Sequence, residues 1–383
     1  MLAALLFSVA AAEVVDAALP LVLASSEITA MGGSGLGFAS GASGLSYTPA
    51  APALRRITST GRLDGTASFS RMAAQAQDSS DLTNAGPGYL RNSDMMIDTG
   101  ATGRIDRLGS GIGITGVQVL SEEGYARIAD GRFAIATGAR DGRIAAGVAA
   151  RVAWAELGAD NQVDSFMGLG LRAQPDQRFT GLGAEAGVSF APETHSWRLG
   201  LSARSPVTAT PNHPAGSTDI DAIRFPWQAA IGGGWANAAA RDTLPEGRAI
   251  RVGADVVVYG PVEDGVSLAP LLNGAVVPRG RTVSVSPRVG GELEVWPQRL
   301  RLRAGSYIEP SRSQHQALRL HGTGGLELRV LHVRLLRGII DHDLALQSAF
   351  DLSERYQRVG WLGLSFWDVG VVSADTPPAD ERR

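Results

Sequence analysis

Side chains that carry most covalent and metal chemistry are scarce in this sequence of 383 residues. Cysteine is absent, which excludes disulfides, iron–sulfur clusters and thiol catalysis. The histidines show neither H-x-x-x-H nor H-E-x-x-H spacing, and the glycine-rich stretches Met31–Gly44 and Gly232–Gly234 lack the lysine of a phosphate loop. We therefore predict no metal ion and no cofactor. The histidines are His195, His213, His315, His321, His332 and His342.

Two arrangements could still support an active site. Asp341-His342-Asp343 could bind a metal or act as a base, but short polar residues of this kind are more typical of a turn between strands. The members of a Ser–His–acid set are adjacent only in space, so a hydrolase stays open as a hypothesis. Our prediction is nevertheless that the protein is not an enzyme.

Charged residues follow a more regular pattern, in which they alternate with apolar ones. Glu292 and Glu294 stand two residues apart, and so do Arg301 and Arg303 further along the chain. Residues two apart lie on one face of a strand, so opposite charges on neighbouring strands predict an ion-pair network. Arg288 is our candidate for binding an anionic group, because a desolvated carboxylate needs a charged hydrogen-bonding partner.

The elements that carry these charges are predicted to be β-strands from about residue 60 onward. Period-two alternation of apolar and polar residues is clear in Arg251–Tyr259, Thr282–Trp296 and Asp343–Ser353. We predict roughly 14 to 16 such strands, and many run about 9 to 14 residues. Strands of soluble sheets average ~5–6 residues, whereas ~9–11 are needed to cross a bilayer.

Long alternating strands predict an all-β fold, a transmembrane antiparallel β-barrel. Within hydrocarbon every backbone amide must be paired, which a closed sheet achieves, and a mean hydropathy near zero suits one apolar and one polar strand face. Charges are expected to face the lumen, with small residues such as Gly253 and Gly363 leaving room for a plug or a channel. A soluble all-β protein is the alternative.

Connections and tryptophans are consistent with this barrel. Short turns at Gly138–Gly142 and Pro297-Gln298 alternate with longer polar loops at Ala73–Asn92, Val207–Ala222 and Ala238–Gly247. We expect the tryptophans to form girdles at the two membrane interfaces, with lumenal positions as the alternative. They are Trp154, Trp197, Trp227, Trp235, Trp296, Trp361 and Trp367.

The two ends of the chain are predicted to lie outside the barrel. Residues 1–12 are apolar and end in small residues, which predicts a signal peptide, although the usual positive charge is missing. Phe366 and Trp367 are similar to the aromatic ending that barrel-assembly machinery reads, and residues 368–383 are predicted to form a disordered periplasmic tail.

Two stretches near the N-terminus carry a family resemblance. Thr29–Gly35 reads TAMGGSG, and Tyr47–Ala50 reads YTPA. They resemble the opening of the outer-membrane long-chain fatty-acid transporter family, and shorter similar phrases occur up to about residue 367. Thr48 departs from the pattern, because the family usually has Asn there, which forms more hydrogen bonds.

The resemblance implies a barrel of about 14 strands over residues 61–367 and an N-terminal hatch over residues 13–60 inside its lumen. Hatch or gate residues carried over by it are Met31, Gly32, Gly33, Tyr47, Thr48 and Pro49. Hydrophobic molecules would enter from outside, bind in the lumen and leave laterally or past the hatch.

We therefore predict a channel in the outer membrane of a Gram-negative bacterium for passive uptake of hydrophobic, fatty-acid-like molecules. Its partners would be that ligand, outer-membrane lipid, lipopolysaccharide and the assembly machinery. A formal charge of -3 gives no reason to expect nucleic acid. The alternative is a non-transporting barrel that anchors a secretion or surface-assembly partner. A lumen packed shut by Arg–Glu pairs would favour the anchor, and a continuous apolar tunnel would favour transport.

Overall fold

The computed structural model describes most of the chain between residues 13 and 367. The described residues are 13–18, 25–54, 63–72, 95–105, 107–120, 125–139, 144–158, 165–166, 169–170, 177–191, 196–212, 220–237, 248–272, 276–297, 299–312, 318–335, 340–353 and 356–367. The predicted signal peptide, residues 19–24 and 55–60 of the predicted hatch, and the predicted tail lie outside them. Among these residues, no helix is long and apolar enough to span a membrane.

Nearly all of the described chain is β-strand. In chain order the strands are β1 (Glu13–Asp16), β2 (Leu63–Met72), β3 (Met95–Ile105), β4 (Leu108–Leu120), β5 (Tyr125–Ala139), β6 (Ile144–Gly158), β7 (Ser165–Phe166), β8 (Leu169–Gly170), β9 (Gln177–Phe190), β10 (Trp197–Arg204), β11 (Val207–Pro211), β12 (Ile220–Phe225), β13 (Gln228–Ala236), β14 (Ile250–Tyr259), β15 (Gly265–Val266), β16 (Ser284–Trp296), β17 (Leu300–Glu309), β18 (Arg319–Leu335), β19 (Ile340–Ser353) and β20 (Tyr356–Trp367). The helices are α1 (Ser26–Ala30), α2 (Gly41–Gly44) and α3 (Leu268–Leu272), with 3-10 turns at Leu36–Phe38 and Ala51–Ala53.

Fourteen of these strands form an antiparallel ring. Each pairs with the next in the order β2, β3, β4, β5, β6, β9, β10, β13, β14, β16, β17, β18, β19, β20. The last strand, β20, pairs back with β2 from Thr66↔Ser365 to Met72↔Arg358. The pairings therefore leave no free sheet edge along this ring, and the predicted antiparallel barrel of about 14 strands is confirmed.

Alternation along each strand separates an outer apolar face from an inner polar face. In β16 the burial alternates residue by residue, with Val285, Val289 and Leu293 exposed on the outside. Arg288 and Glu292 are buried on the inside. A slip of one residue would turn these charges toward lipid, so the side-chain pattern fixes the strand register.

The two rims of the barrel differ. The rim where β2 begins, which we call the lower rim, carries the connections 106–107, 140–143 and 297–299. The rim where β2 ends, the upper rim, carries most of the longer connections, such as 73–94 and 260–283. Trp197, Trp235 and Trp296 are partly exposed at the lower rim, where an amphipathic ring suits a headgroup layer.

One predicted loop is wrong. Val207–Ala222 was expected to be a long polar connection, but its described residues extend the barrel hairpin as β11 and the start of β12. The register of β10 with β13 continues unchanged into β11 with β12, across breaks at Ser205-Pro206 and Pro226-Trp227. Proline removes a ladder hydrogen bond, so the hairpin bends at these breaks instead of ending.

The N-terminal strand β1 is not part of the ring. It pairs in parallel with β12 on one side, from Glu13↔Ile220 to Asp16↔Arg224. Its other edge pairs with β15 at Val14↔Gly265 and Val15↔Val266. The hairpin β11–β12 continues beyond the last paired residue of β14, and β1 lies in the space between it and β15, near the upper rim.

Lipid-facing and loop valines should respond differently to a charge. Val289 is 50% exposed on the outer face of β16, and Val276 is 54% exposed between α3 and β16. We expect Val289→Arg to lower the free energy of unfolding in bilayers by about 2–4 kcal/mol, because arginine is placed in hydrocarbon. Val276→Arg should change it far less, as measured by denaturant titration in vesicles. Equal effects of the two changes would contradict the assigned outer face.

Candidate functional site

The lumen holds a second layer of chain, the segment Ser25–Leu54. Its two short helices and two 3-10 turns satisfy much of their own backbone, as in the bonds Thr29 N to Ser25 O and Phe38 N to Gly35 O. Helix α1 contacts β18 and β19, and the turn Leu36–Phe38 contacts β10 and β13. We call this segment the lumenal segment. It includes all six residues that the resemblance assigned to a hatch.

Glycines on the barrel wall let the lumenal segment approach closely. A Cβ added to Gly200 would stand 2.7 Å from the Leu36 side chain, and one on Gly325 would stand 2.7 Å from Ala30. Added Cβ atoms would also meet this segment at Gly109, Gly147, Gly187, Gly234, Gly290 and Gly305. The chain has 48 glycines, and part of this high number is explained by a wall that has no side chain where the segment crosses it.

The segment itself needs glycine at its sharpest bends. Gly32 and Gly35 have φ angles of 64° and 134°, in the region that side-chain-bearing residues avoid. A Cβ on Gly32 would also approach the Ser306 backbone nitrogen at 2.7 Å. Met31, Gly32 and Gly33 therefore form a turn pressed against β17, which explains the sequence Met-Gly-Gly at this point.

Asp255 and Arg288 bind the lumenal segment from two neighbouring strands. One carboxylate oxygen of Asp255 accepts hydrogen bonds from Gly35 N and Leu36 N, at 2.8 and 2.9 Å. The Arg288 guanidinium donates to Gly33 O at 3.4 Å, to the Tyr259 hydroxyl at 2.8 Å and to Ser286. Both side chains are buried. Arg288, our candidate for binding a ligand carboxylate, is thus engaged with the chain's own backbone.

Tyr47, Thr48 and Pro49 continue the same segment on the other side of the lumen. The Tyr47 hydroxyl donates to Ser34 O at 2.6 Å and so ties the two halves of the segment together. Burial raises the pKa of this phenol well above its usual value, so it remains a neutral donor. Thr48 and Pro49 lie against Gly187, and the Thr48 hydroxyl accepts from Ala50 N at 3.3 Å.

The predicted charge pairs form one network in the lower lumen. Glu292 lies opposite Arg303, and Glu294 opposite Arg301, across β16 and β17. Arg303 bonds Glu292 at 2.8 Å and Glu327 at 2.7 Å. Arg301 completes the set, 3.3 Å from Glu327 and 3.9 Å from Glu294. All are nearly inaccessible to solvent, which makes their mutual neutralisation a requirement of folding.

A second network on the opposite wall was missed by the sequence analysis. Asp130 bonds Arg151 at 2.9 Å and Arg132 at 3.1 Å, and Arg204 bonds Glu185 at 3.1 Å. Arg132 and Arg204 also donate to the carbonyls of Leu45 and Ser46 in the lumenal segment. Only the Asp130–Arg132 pair lies within one strand, β5, and the pairs Asp130–Arg151 and Glu185–Arg204 join different strands.

Above this network the inner wall becomes apolar. Inward-facing Ile128 of β5 and Ala153 of β6 follow the charged positions, and they pack with Val15 of β1 and Phe179 of β9. The remaining buried members of this upper apolar cluster are Ala17, Met96, Val117, Val119, Ala126, Ala155, Leu157, Val207, Ala209, Ile223, Phe225, Val266 and Leu268. The facing strands β16–β19 stay polar up to the same level, so the upper lumen has one apolar and one polar side.

The polar side includes a buried histidine that tests the hydrolase hypothesis. Nδ1 of His321 lies 2.8 Å from Asp351, and Nε2 lies 3.1 Å from Glu309. A catalytic triad needs a serine at Nε2, and a carboxylate stands there instead. The structure therefore does not assemble a triad around His321. Asp341, His342 and Asp343 lie in β19 instead of the predicted turn, and their side chains lie outside the described residues, as does that of His332. His195, His213 and His315 also lie outside them.

Comparison with known proteins gives matches at the level of structure. No protein-family model matches the sequence. No curated protein matches it either. A Pseudomonas aeruginosa homologue of FadL covers 90% of this chain and 98% of its own, with 11% identity and a TM-score of 0.54. CymD, a monoaromatic hydrocarbon channel, covers 91% and 97%, with 14% identity and a TM-score of 0.54. TbuX, a toluene transporter of Ralstonia pickettii, covers 90% and 98%, with 15% identity and a TM-score of 0.52.

These similarities concern the fold. The similarity covers nearly the whole length of each neighbour, so the chain shares their complete architecture and not only one part of it. The fold expected from the N-terminal resemblance, that of the fatty-acid transporter barrels, is confirmed. At identities of 11 to 15% the likeness does not fix a ligand.

Two glycines on neighbouring strands of the wall, one facing inward and one facing outward, offer a test of the lumenal segment. A Cβ added to Gly305 of β17 would overlap the backbone of Met31, whereas Gly322 of β18 lies on the outer face and a Cβ there would have nothing within 4 Å. We expect Gly305→Val to displace the segment, because the wall is fixed by strand pairing, and so to raise single-channel conductance in planar bilayers several-fold. Gly322→Val should leave conductance at the parent value. A similar conductance for both variants would show that the segment does not rest on this surface.

Removing Arg303 tests the lower network. We expect Arg303→Gln to lower the free energy of unfolding by about 3–5 kcal/mol, because Glu292 and Glu327 are left buried without full compensation. The double variant Arg303→Gln/Glu327→Gln removes one charge of each sign, leaves Glu292 and Glu294 with Arg251 and Arg301, and should recover most of the loss. Denaturant titration in detergent measures both variants. A double variant as unstable as the single one would show that charge compensation is not the reason.

Proposed function

We propose that the chain is an outer-membrane channel for the passive entry of hydrophobic small molecules. The observation that carries this proposal is the upper apolar cluster on the inner wall of the barrel. Inward faces of β5 and β6 change from charged at Asp130 and Arg151 to apolar at Ile128 and Ala153. A pore for polar solutes is polar throughout, because its solutes stay hydrated.

The apolar side of the upper lumen would provide a dry surface for an apolar solute that enters at the upper rim. Burial of apolar area is favourable by roughly 25 cal/mol per Å², so such a wall attracts hydrophobic molecules without an energy source. CymD is a monoaromatic hydrocarbon channel and TbuX is a toluene transporter, and the likeness to them supports this class of solute. Fatty-acid-like molecules remain the prediction from the sequence resemblance.

Arg288 weighs against a simple carboxylate site in the resting conformation. Its guanidinium already donates to Gly33, Tyr259 and Ser286, so an anionic ligand would have to displace the lumenal segment to bind there. Neutral hydrocarbons need no such partner. We therefore propose neutral apolar compounds as the first class to test and carboxylates as the second.

A non-transporting anchor remains the second candidate, because the Arg–Glu network fills the lower lumen beside the lumenal segment. We interpret this packing as a closed resting state, in which the lumenal segment acts as a hatch over residues 25–54. Under this interpretation the ring is permanent and the hatch rearranges when a solute arrives. An anchor would keep the same packing at all times.

Uptake by intact cells distinguishes the two candidates. In a Gram-negative host without such a channel, we expect expression of this protein to raise uptake of labelled toluene, and then of labelled oleate, several-fold. Ile128→Asn should reduce toluene uptake, because it places a polar group in the apolar cluster. Gln118→Asn exchanges one buried amide for another in β4 and serves as the control. No uptake of either compound above the empty host would favour the anchor.

A further inference from the structure

The N-terminal strand β1 lies where the apolar and polar sides of the upper lumen meet. Val15 and Ala17 are buried in the upper apolar cluster. Asp16, between them, points the other way and is 1% exposed. Ala18 borders a cavity of about 20 Å³ that is also lined by Arg288 and Tyr307 of the polar side. The side chains of residues 15–18 thus alternate between the apolar side and the polar side of the upper lumen.

The carboxylate of Asp16 binds two arginines from separate parts of the upper rim. Arg312 follows β17 and approaches Asp16 at 2.8 Å and 3.3 Å through two of its nitrogens. Arg279 follows β15 and lies 3.4 Å from the same carboxylate. All three side chains are buried. Arg312 also donates to Gly260 O and to Ser284, so this cluster joins β1 to the connection 260–283, to the start of β16 and to the chain that follows β17.

A glycine makes room for this carboxylate. Gly280 has a φ of 81°, and a Cβ placed on it would stand 2.6 Å from an Asp16 oxygen and 3.1 Å from an Arg312 nitrogen. The backbone beside Arg279 therefore leaves space for the ion cluster. The wall is shaped around the carboxylate as well as around the apolar residues of β1.

From these contacts we infer that β1 is a displaceable strap across the outer end of the lumen and that Asp16 is its latch. The ring closes without β1, and β1 pairs over only four residues of β12 and two of β15. A strand this short has little stability of its own without side-chain contacts. The buried ion pairs of Asp16 therefore contribute much of the free energy that keeps β1 in place. The function of the strap, to close the entry route, depends on the proposed uptake of hydrophobic molecules.

Cysteine labelling tests the latch without any transport measurement, since the chain contains no native cysteine. Ala17→Cys places a thiol directly after β1, on the buried face of the strap, at a position that is 4% exposed. We expect a methanethiosulfonate reagent to label it slowly in the parent. Adding Asp16→Asn should speed labelling about tenfold or more, because the arginines lose their counter-charge. Gly280→Ala, which presses on the carboxylate and keeps the charge, should also speed it.

Two controls show whether any acceleration is local. Glu13→Gln changes a partly exposed charge on the same strand and should leave the labelling rate unchanged. Glu185→Gln breaks the buried Arg204–Glu185 pair of the second network and should also leave the labelling rate unchanged. The strap is refuted if Asp16→Asn labels at the parent rate, or if Glu185→Gln accelerates labelling as much as Asp16→Asn does.

A disulfide then links the strap to transport. Val14 lies opposite Ala222 in the pairing of β1 with β12, so Val14→Cys/Ala222→Cys can lock the strap. Oxidation should reduce toluene uptake about tenfold, and reduction should restore it. Full uptake with the strap locked would overturn its gating role. If the reduced protein takes up no toluene, the proposed function fails, while labelling still decides whether Asp16 is a latch.

Discussion

Charge neutralisation inside a lumen that the chain itself fills is the constraint on which this structure depends. Buried arginines and carboxylates are costly unless they pair, and here they pair across neighbouring strands, as Glu292 does with Arg303. Such pairs require one register between strands, because a slip by one residue turns a charge toward lipid. The same ion pairs therefore fix the register between strands, the direction of each strand face and the order of the strands.

The lumenal segment satisfies its buried backbone hydrogen-bonding groups differently from the wall. It cannot join the sheet, so it satisfies much of its backbone in short helices and turns and receives the rest of its partners from side chains such as Asp255 and Arg288. Glycines on the wall allow contact without interlocking side chains. A layer held by separate contacts inside a ring held by continuous pairing can rearrange while the ring stays closed.

Sequence alone predicted the strands, their faces and the network around Arg303, because alternation is a local signal. It missed β11 and β12, where Pro211, Pro226 and neighbouring polar residues are typical of a loop although the register continues through the bends. It also missed the partners of Asp130 and the pairing of β1, since these join residues far apart in the chain. Inward-facing glycines at Gly290 and Gly305 were a usable signal for the lumenal segment.

The central claim, that the lumenal segment is a hatch which moves to admit hydrophobic molecules, can be tested by a single lock. The hydroxyls of Ser26 and Ser68 lie 2.8 Å apart, one on the segment and one on β2. Ser26→Cys/Ser68→Cys should therefore form a disulfide in a chain that has no other cysteine. The measurement is uptake of labelled toluene by cells that carry this variant, oxidised and then reduced. The account predicts little uptake when oxidised and full uptake when reduced, and equal uptake in both states would contradict it.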